Sequence, residues 1–270
     1  MADKVVPLGE AAALVADGAS VGIGGILLRR KPMALVAALA EAGRSDLDLV
    51  AFLGSVDVEY LVAAGCVRSA TTGYVGFEQL GFAPAWQASV SGGSVTARFV
   101  SETHIVGGLR AAGAGLPFWP SRGAAGSDVS ADLGIETVAC PYTGEAVWAV
   151  PAIRPDVTLL HARAATADGL VVGADDDFLH DADAVLARAS GTVVVSVEEI
   201  VDSSEARVRA GGRPLLFAHD VDAVVLAPGG ARPTEVPGCY GADLAGISAY
   251  LADPGGGATG LAALVAGVDA

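Results

Sequence analysis

The sequence predicts an α/β fold, an open and mainly parallel sheet with helices on both faces, and three observations carry that prediction. Apolar runs at residues 21–28 and 47–53 are nearly continuous instead of alternating, as strands covered on both faces require. Segments with helical spacing separate these runs, and strand–helix alternation marks a parallel sheet wound by right-handed crossovers. The 270 residues suffice to bury a substantial core, and 52% of them are hydrophobic. Mean hydropathy is high, at +0.52. Even so, Gly, Asp or Arg interrupts every apolar run before the roughly 18–20 residues that span a bilayer, so no membrane association is expected. The opening MADKVVPLGE shows no secretory pattern, which makes the cytoplasm the expected location.

The elements follow in order. Residues 8–17 read as a short helix after Pro7, stopped at Gly18. Residues 21–28 form the first core strand, and Pro32 opens a helix over 32–42 that Gly43 ends. Residues 47–53 (LDLVAFL) are a second strand, and 57–64 a helix closed by Gly65. Residues 67–90, rich in Gly and aromatics, read as an ordered loop region. Residues 94–100 are strand-like, and 102–116 have helical spacing with Ser101 as N-cap. LPFWPSRGAAGSD (116–128) is a Pro and Gly loop, either a binding loop or a long crossover. Further strands are expected at 146–150, 157–162, 192–197 and 221–226, with helices at 178–189 and 242–251. The expected division is an α/β domain over 1–253, then a Gly-rich linker and short C-terminal helix over 254–270.

A net charge of −15 excludes a nucleic-acid partner, because phosphate binding needs a basic face. Among only 16 Lys and Arg, the one run of three cations is Arg29, Arg30 and Lys31. It follows a strand and the pair Gly24 and Gly25, on the side where parallel sheets bind ligands. The run is either a local anion site or a solvated basic turn. Cys66, Cys140 and Cys239 have no paired spacing and support neither disulfides nor zinc. Asp175, Asp176, Asp177, His180, Asp181 and Asp183 lack calcium-loop spacing and lead into a helix whose N-terminus attracts carboxylates, so no metal is expected. GIGG lacks the third glycine of a dinucleotide fingerprint, which disfavours a nicotinamide cofactor. Glu102, in the first turn of its helix, complements the helix dipole by about 0.3–1 kcal/mol. It also follows a strand, so it points to the same rim as Gly24 and Gly25. Arg122 is the one cation of the 116–128 loop.

The stretch DGASVGIGGILLRRKP resembles the N-terminal signature of class I CoA-transferase α subunits. Asp17, Gly18, Val21, Ile23, Gly24, Gly25 and Pro32 match it. Gly22, Ile26 and Arg30 depart from it, at an apolar, a Phe and a Gly position. RRKPMALV (29–36), GLRAAGAGLPFWPSR (108–122), SVEEIV (196–201), APGGARP (227–233) and YGAD (240–243) extend the resemblance over nearly the whole chain. They are most similar to the glutaconate CoA-transferase type and, within it, to α subunits of actinobacterial cholesterol ring-cleaving hydrolases.

The resemblance implies the same open parallel sheet, a β subunit in an αβ or α2β2 assembly, and an active site between the two. It also implies an acyl-CoA substrate, with coenzyme A as substrate moiety and no tightly bound cofactor. In family transferases a β-subunit glutamate attacks the thioester, and CoA passes between carboxylic acids. This chain would then supply Gly24 and Gly25 for close approach and Arg29, Arg30 and Arg122 for charge. In the ring-cleaving branch Glu102 falls at the place of the catalytic glutamate. There it would be the general base for hydrolytic carbon–carbon cleavage of a cyclic dione CoA thioester. A binding protein that kept the fold without catalysis is a third alternative.

Overall fold

A computed structural model describes residues 2–123, 128, 132–174 and 180–266. The main sheet is built from β1 (Ser20–Ile26), β2 (Leu47–Leu53), β3 (Val67–Thr72), β4 (Thr96–Phe99), β8 (Val157–Ala165), β9 (Val171–Val172), β10 (Thr192–Ile200) and β11 (Ala223–Leu226). Seven of these run in the order β11-β10-β8-β1-β2-β3-β4, every adjacent pair parallel, and β9 adds antiparallel to β8. The open, mainly parallel sheet expected from the sequence is present.

Alternate residues of one strand go to opposite layers. Leu47, Leu49 and Ala51 of β2 join one core cluster and Val50 the other. On β10, Val194 faces the first cluster while Val193, Val195 and Val197 face the second. The first layer holds α1 (Leu8–Ala13), α2 (Met33–Glu41), α3 (Val56–Ala63) and α4 (Pro84–Ser91). The second holds α5 (Glu102–Gly113) and α6 (His180–Ala189), through Ile105, Leu109 and Leu186. Burial on both faces is why β1 and β2 read as unbroken apolar runs. From β1 the chain winds outward to β2, β3 and β4, then returns to β8, β10 and β11 on the other side. The strand order reverses between β1 and β8, and the carboxyl ends at such a switch point are the place where sheets of this kind bind ligands.

Several elements differ from expectation. Residues 67–90 contain β3 and α4 instead of an ordered loop. The N-cap position of α4 is Ala83, which has no capping side chain. Its amide donors are met by the fully buried Glu59 of α3, which accepts from Ala85 N–H at 2.8 Å and Trp86 N–H at 2.9 Å. The Pro-rich 116–128 stretch contributes β5 (Phe118–Ser121) to a small antiparallel sheet with β6 (Thr137–Ala139) and β7 (Ala146–Pro151). The first helix stops at Ala13, before 17. After α7 (Ser203–Arg209) and α8 (Leu244–Ala252), the glycines near the end enter a turn and α9 (Gly257–Ala266), whose Leu261 is buried in the first cluster. Among the described residues no helix is long and apolar enough to cross a membrane.

Candidate functional site

The loop after β1 is built on two glycines and two buried ion pairs. A Cβ on Gly24 would collide with Leu160 and stand 2.8 Å from an Asp183 oxygen. Gly25 has φ +72° and its Cβ would meet the carbonyls of Arg29 and Arg30, so only glycine fits. Gly25 N–H donates to Asp183 Oδ1 at 2.8 Å, and the wholly buried Arg30 guanidinium pairs with Asp183 Oδ2. Lys31, also wholly buried, donates to the carbonyls of Leu53 (2.8 Å) and Gly25 (3.2 Å) and pairs with Asp57 at 3.0 Å. Two of the three consecutive cations therefore point inward and tie β1 to α6 and α3. Arg29 alone reaches the rim, where it pairs with Glu235.

Above β1 lies a cavity of about 440 Å³ formed by Ile26–Arg29, Glu78, Gln79, Glu235, Ala242 and Leu244. Its edge is conformationally unusual. Leu27 (φ +51°) and Glu78 (φ +55°) adopt the left-handed region without being glycine, and Arg30 (φ +52°) follows just beyond. Such backbone clusters at ligand sites. The segment 228–235 is stitched to the β1 loop by Arg30 N–H to Glu235 O, Ala34 N–H to Gly230 O and Lys31 N–H to Thr234 Oγ1. A more apolar cavity of about 460 Å³, around Leu170, Pro214 and Phe217, brings no catalytic chemistry to this rim.

Glu102 opens α5, and Ser101 caps the helix by accepting from His104 N–H at 3.3 Å. The Glu102 side chain is exposed and passes Gly73 at the end of β3, with its Cγ 3.3 Å from where a Gly73 Cβ would stand. No hydrogen bond or ion pair to another described residue engages its carboxylate. Buried His104 holds the 121–123 segment against this turn, with Nε2 3.1 Å from Gly123 O. Arg122 on that segment is largely exposed and pairs with Glu145 at 2.8 Å. The structure thus groups Gly24, Gly25 and Arg30 around Asp183. It sets Arg29 in the rim cavity and brings the Arg122 segment to the helix turn that carries Glu102.

The sequence reading missed one polar cluster. His161, wholly buried on β8, has Nδ1 2.9 Å from Ser196 Oγ and Nε2 2.8 Å from Glu198 Oε1. Glu198 also accepts from Tyr240 O–H at 2.6 Å and Gly229 N–H at 2.7 Å. An ionised carboxylate only accepts, so Nε2 carries the imidazole proton. Burial pulls the His161 pKa below its usual value, although Glu198 opposes this. Burial pushes the Glu198 carboxyl up, but its donors outweigh that and hold it below the usual carboxylate range. Burial and Glu198 together push the Tyr240 phenol up. The signal lay in SVEEIV and YGAD, which the sequence reading used only as marks of resemblance.

Among the described residues no group of His, Cys, Asp or Glu is placed to hold a metal ion. Of the acidic run considered from sequence, Asp175, Asp176 and Asp177 lie outside the described residues.

Comparison with known proteins follows the same lines. Residues 6–226 match the Coenzyme A transferase family. The chain is 35% identical over 252 residues to the IpdA polypeptide of the cholesterol ring-cleaving hydrolase of Rhodococcus jostii, covering 89% of this chain and 83% of that one. It is 30% identical over 266 residues to the A subunit of glutaconate CoA-transferase from Acidaminococcus fermentans, covering 92% and 82%. Among solved structures, the decarboxylase AibA/AibB superposes with a TM-score of 0.87 at 34% identity, covering 98% of this chain and all of that one.

Proposed function

We infer what this chain does from a fixed premise: it belongs to the coenzyme A transferase family, as an α-type enzyme subunit. Its relatives are named as subunits, which implies a partner subunit for this chain. On our reading the substrate is an acyl-CoA thioester, held where the carboxyl-end rim of this chain meets a β-type partner, and Glu102 is the general base. The observation that carries this is the Glu102 carboxylate, exposed on the rim and engaged by no other described residue. Arg30, in contrast, spends its charge on Asp183 inside the protein.

In this reading Glu102 takes a proton from water as the water oxygen adds to a ring carbonyl of a cyclic dione. The adjacent ring carbon–carbon bond then breaks, and its electron pair passes to the carbon beside the second carbonyl. That carbon receives the proton back from Glu102, leaving a ring-opened carboxylic acid still held as its CoA thioester. A positioned base of this kind contributes about 10²–10⁴ in rate. The likeness to glutaconate CoA-transferase supports a second reading, in which CoA moves between carboxylic acids through a glutamate of the partner. Both readings use coenzyme A as substrate moiety and call on no tightly held cofactor.

The test is the complex of this chain with its partner. Glu102→Gln should assemble normally and lose turnover by about 10²-fold or more. Full turnover in that variant, with a CoA thioester found by mass spectrometry on a partner glutamate, would overturn the hydrolytic reading in favour of transfer.

A further inference from the structure

The two edges of the main sheet are finished differently. At one end the chain closes its own edge: residues 4–6 run along β11, with Val6 N–H donating to Val224 O and Val224 N–H to Lys4 O, both at 2.9 Å. At the other end β4 pairs with β3 alone, and among the described residues nothing bonds to its outer side. An open strand edge is a template for another chain, which proteins ordinarily cover, shorten or charge. Here the surface around the edge carries almost no charge. Arg98 is the one charged residue between Glu78 and Glu102, in a chain of net charge −15. Phe82, at the entry to α4, is 67% exposed, and Phe99, which ends β4, is 52% exposed. The Phe99 ring meets the buried Trp86 of α4 edge-on, centroids 6.2 Å apart, so the end of β4 and the first turn of α4 form one surface. Depletion of charge together with aromatic residues marks the core of a protein interface.

We propose that this edge seats the partner subunit: an extended segment of the partner pairs with the open side of β4, and Phe82 and Phe99 enter apolar recesses of the same partner. Main-chain bonds to a sheet edge hold such a segment, and buried aromatic anchors carry much of the binding energy. A second copy of this chain fits the edge poorly, because two bodies of net charge −15 repel. The place bears on the chemistry. Glu102 follows Phe99 by three residues at the same carboxyl end, so a partner paired with β4 borders the exposed Glu102 carboxylate and closes the site from its open side. This rests on the reading of a site shared with a β-type partner, and it names the surface and the contacts that make the joint.

The experiment follows amide hydrogen exchange in this chain, free and in complex with its partner, and measures partner affinity for Phe82→Glu and Phe99→Glu. The outward amides of residues 96–99 should exchange about tenfold or more slowly once the complex forms. Each substitution places a charge in the joint and should weaken partner binding by roughly tenfold or more, while the urea midpoint of the free chain moves little because both rings are exposed. Val208→Glu, at an exposed site on α7, should leave the affinity unchanged. Unchanged exchange at 96–99 in a fully formed complex, or wild-type affinity in both phenylalanine variants, would overturn the proposal. So would a dimer of the free chain that Phe99→Glu dissolves, which would give the edge to a second copy. Glu102→Gln separates the two claims. Protection of 96–99 with turnover intact in that variant would sink the general-base reading and leave the docking surface standing; lost turnover with 96–99 unprotected would do the reverse.

Discussion

Replacing Gly108 by alanine sets two opposed effects against each other, and the local geometry decides the sign. Gly108 lies inside α5, where alanine gains up to about 1 kcal/mol over glycine from helix propensity. A Cβ there would stand 2.8 Å from the Pro151 carbonyl oxygen and 2.7 Å from Ile153 Cγ1. The oxygen is backbone of β7, which is paired in the three-stranded sheet, so it cannot swing aside as a side-chain tip can. Separating helix from sheet by even a fraction of an ångström would also stretch the bond from Ile153 N–H to Gly108 O, now 3.0 Å. Overpacking costs about 1–3 kcal/mol and the weakened hydrogen bond about 0.5–1.5 kcal/mol. Set against the propensity gain, the net loss is about 1–3 kcal/mol. Gly260, inside α9, has only Tyr250 Cδ2 near it, at 3.8 Å from an added Cβ. There the propensity gain stands alone, at about 0.4–1 kcal/mol. Equilibrium urea unfolding should therefore move the midpoint down for Gly108→Ala and up for Gly260→Ala. A Gly108→Ala protein as stable as the Gly260→Ala one would refute the packing argument.

Glu59→Gln should cost about 2–3 kcal/mol, because an amide cannot accept from both α4 N–H groups and from Tyr250 O–H. Combining it with Tyr250→Phe should cost less than the sum of the two single changes, which a urea double-mutant cycle reads directly. Lys31→Met leaves Asp57 buried and unpaired and should lose about 3–5 kcal/mol. Adding Asp57→Leu should recover part of that loss, and no recovery would contradict the charge argument. Burial holds His161 below its ordinary pKa, so the unfolded chain takes up this proton first as pH falls. Its contribution is complete above about pH 6.5 and is lost as pH drops toward the lower folded-state value. Glu198, also held low, adds the same sign through the carboxylate range. His161→Gln should flatten the rise of the urea midpoint between about pH 5 and 7, and an unchanged slope would count against this assignment.

The central strands were legible because both of their faces are buried. Continuous apolar runs of strand length arise mainly in that setting, and residues 47–53 match β2 at both ends. Toward the sheet edge that signal fades. In β3, VRSATT carries only one large apolar residue and was read as loop, whereas β4, though mostly exposed, lies within the strand expected at 94–100. The start of α4 was hard to read for a different reason: Pro84 at its first position is a local start signal, but the capping carboxylate is Glu59, from another helix. The basic run showed a similar limit. Neither a solvated turn nor an anion patch describes Arg30 and Lys31, whose partners Asp183 and Asp57 are distant in sequence or set on another element. Glu102 was placed correctly on its helix, with Ser101 as cap, because that geometry is local.

What the signature stretch contributes follows from where its parts point. Gly24 and Gly25 let β1 approach Asp183, Arg30 locks onto the same carboxylate, and Lys31 gathers the carbonyls of Gly25 and Leu53. The 228–235 segment is bonded to the same loop, and Glu198 and His161 anchor that segment from beneath through Gly229. These ties pair the buried charges with groups of the chain itself and stiffen the loop. The cavity at Arg29 and the Glu102 turn remain open on the rim. Both inherit their positions from the buried ties: the cavity edge is the loop that Arg30 and Lys31 fix, and α5 is set by the close contact of Gly108 with β7. A site completed by a second polypeptide needs a rim that is rigid before the partner arrives, since each group left to be ordered on docking lowers the affinity. The inward-facing cations of the signature supply that rigidity.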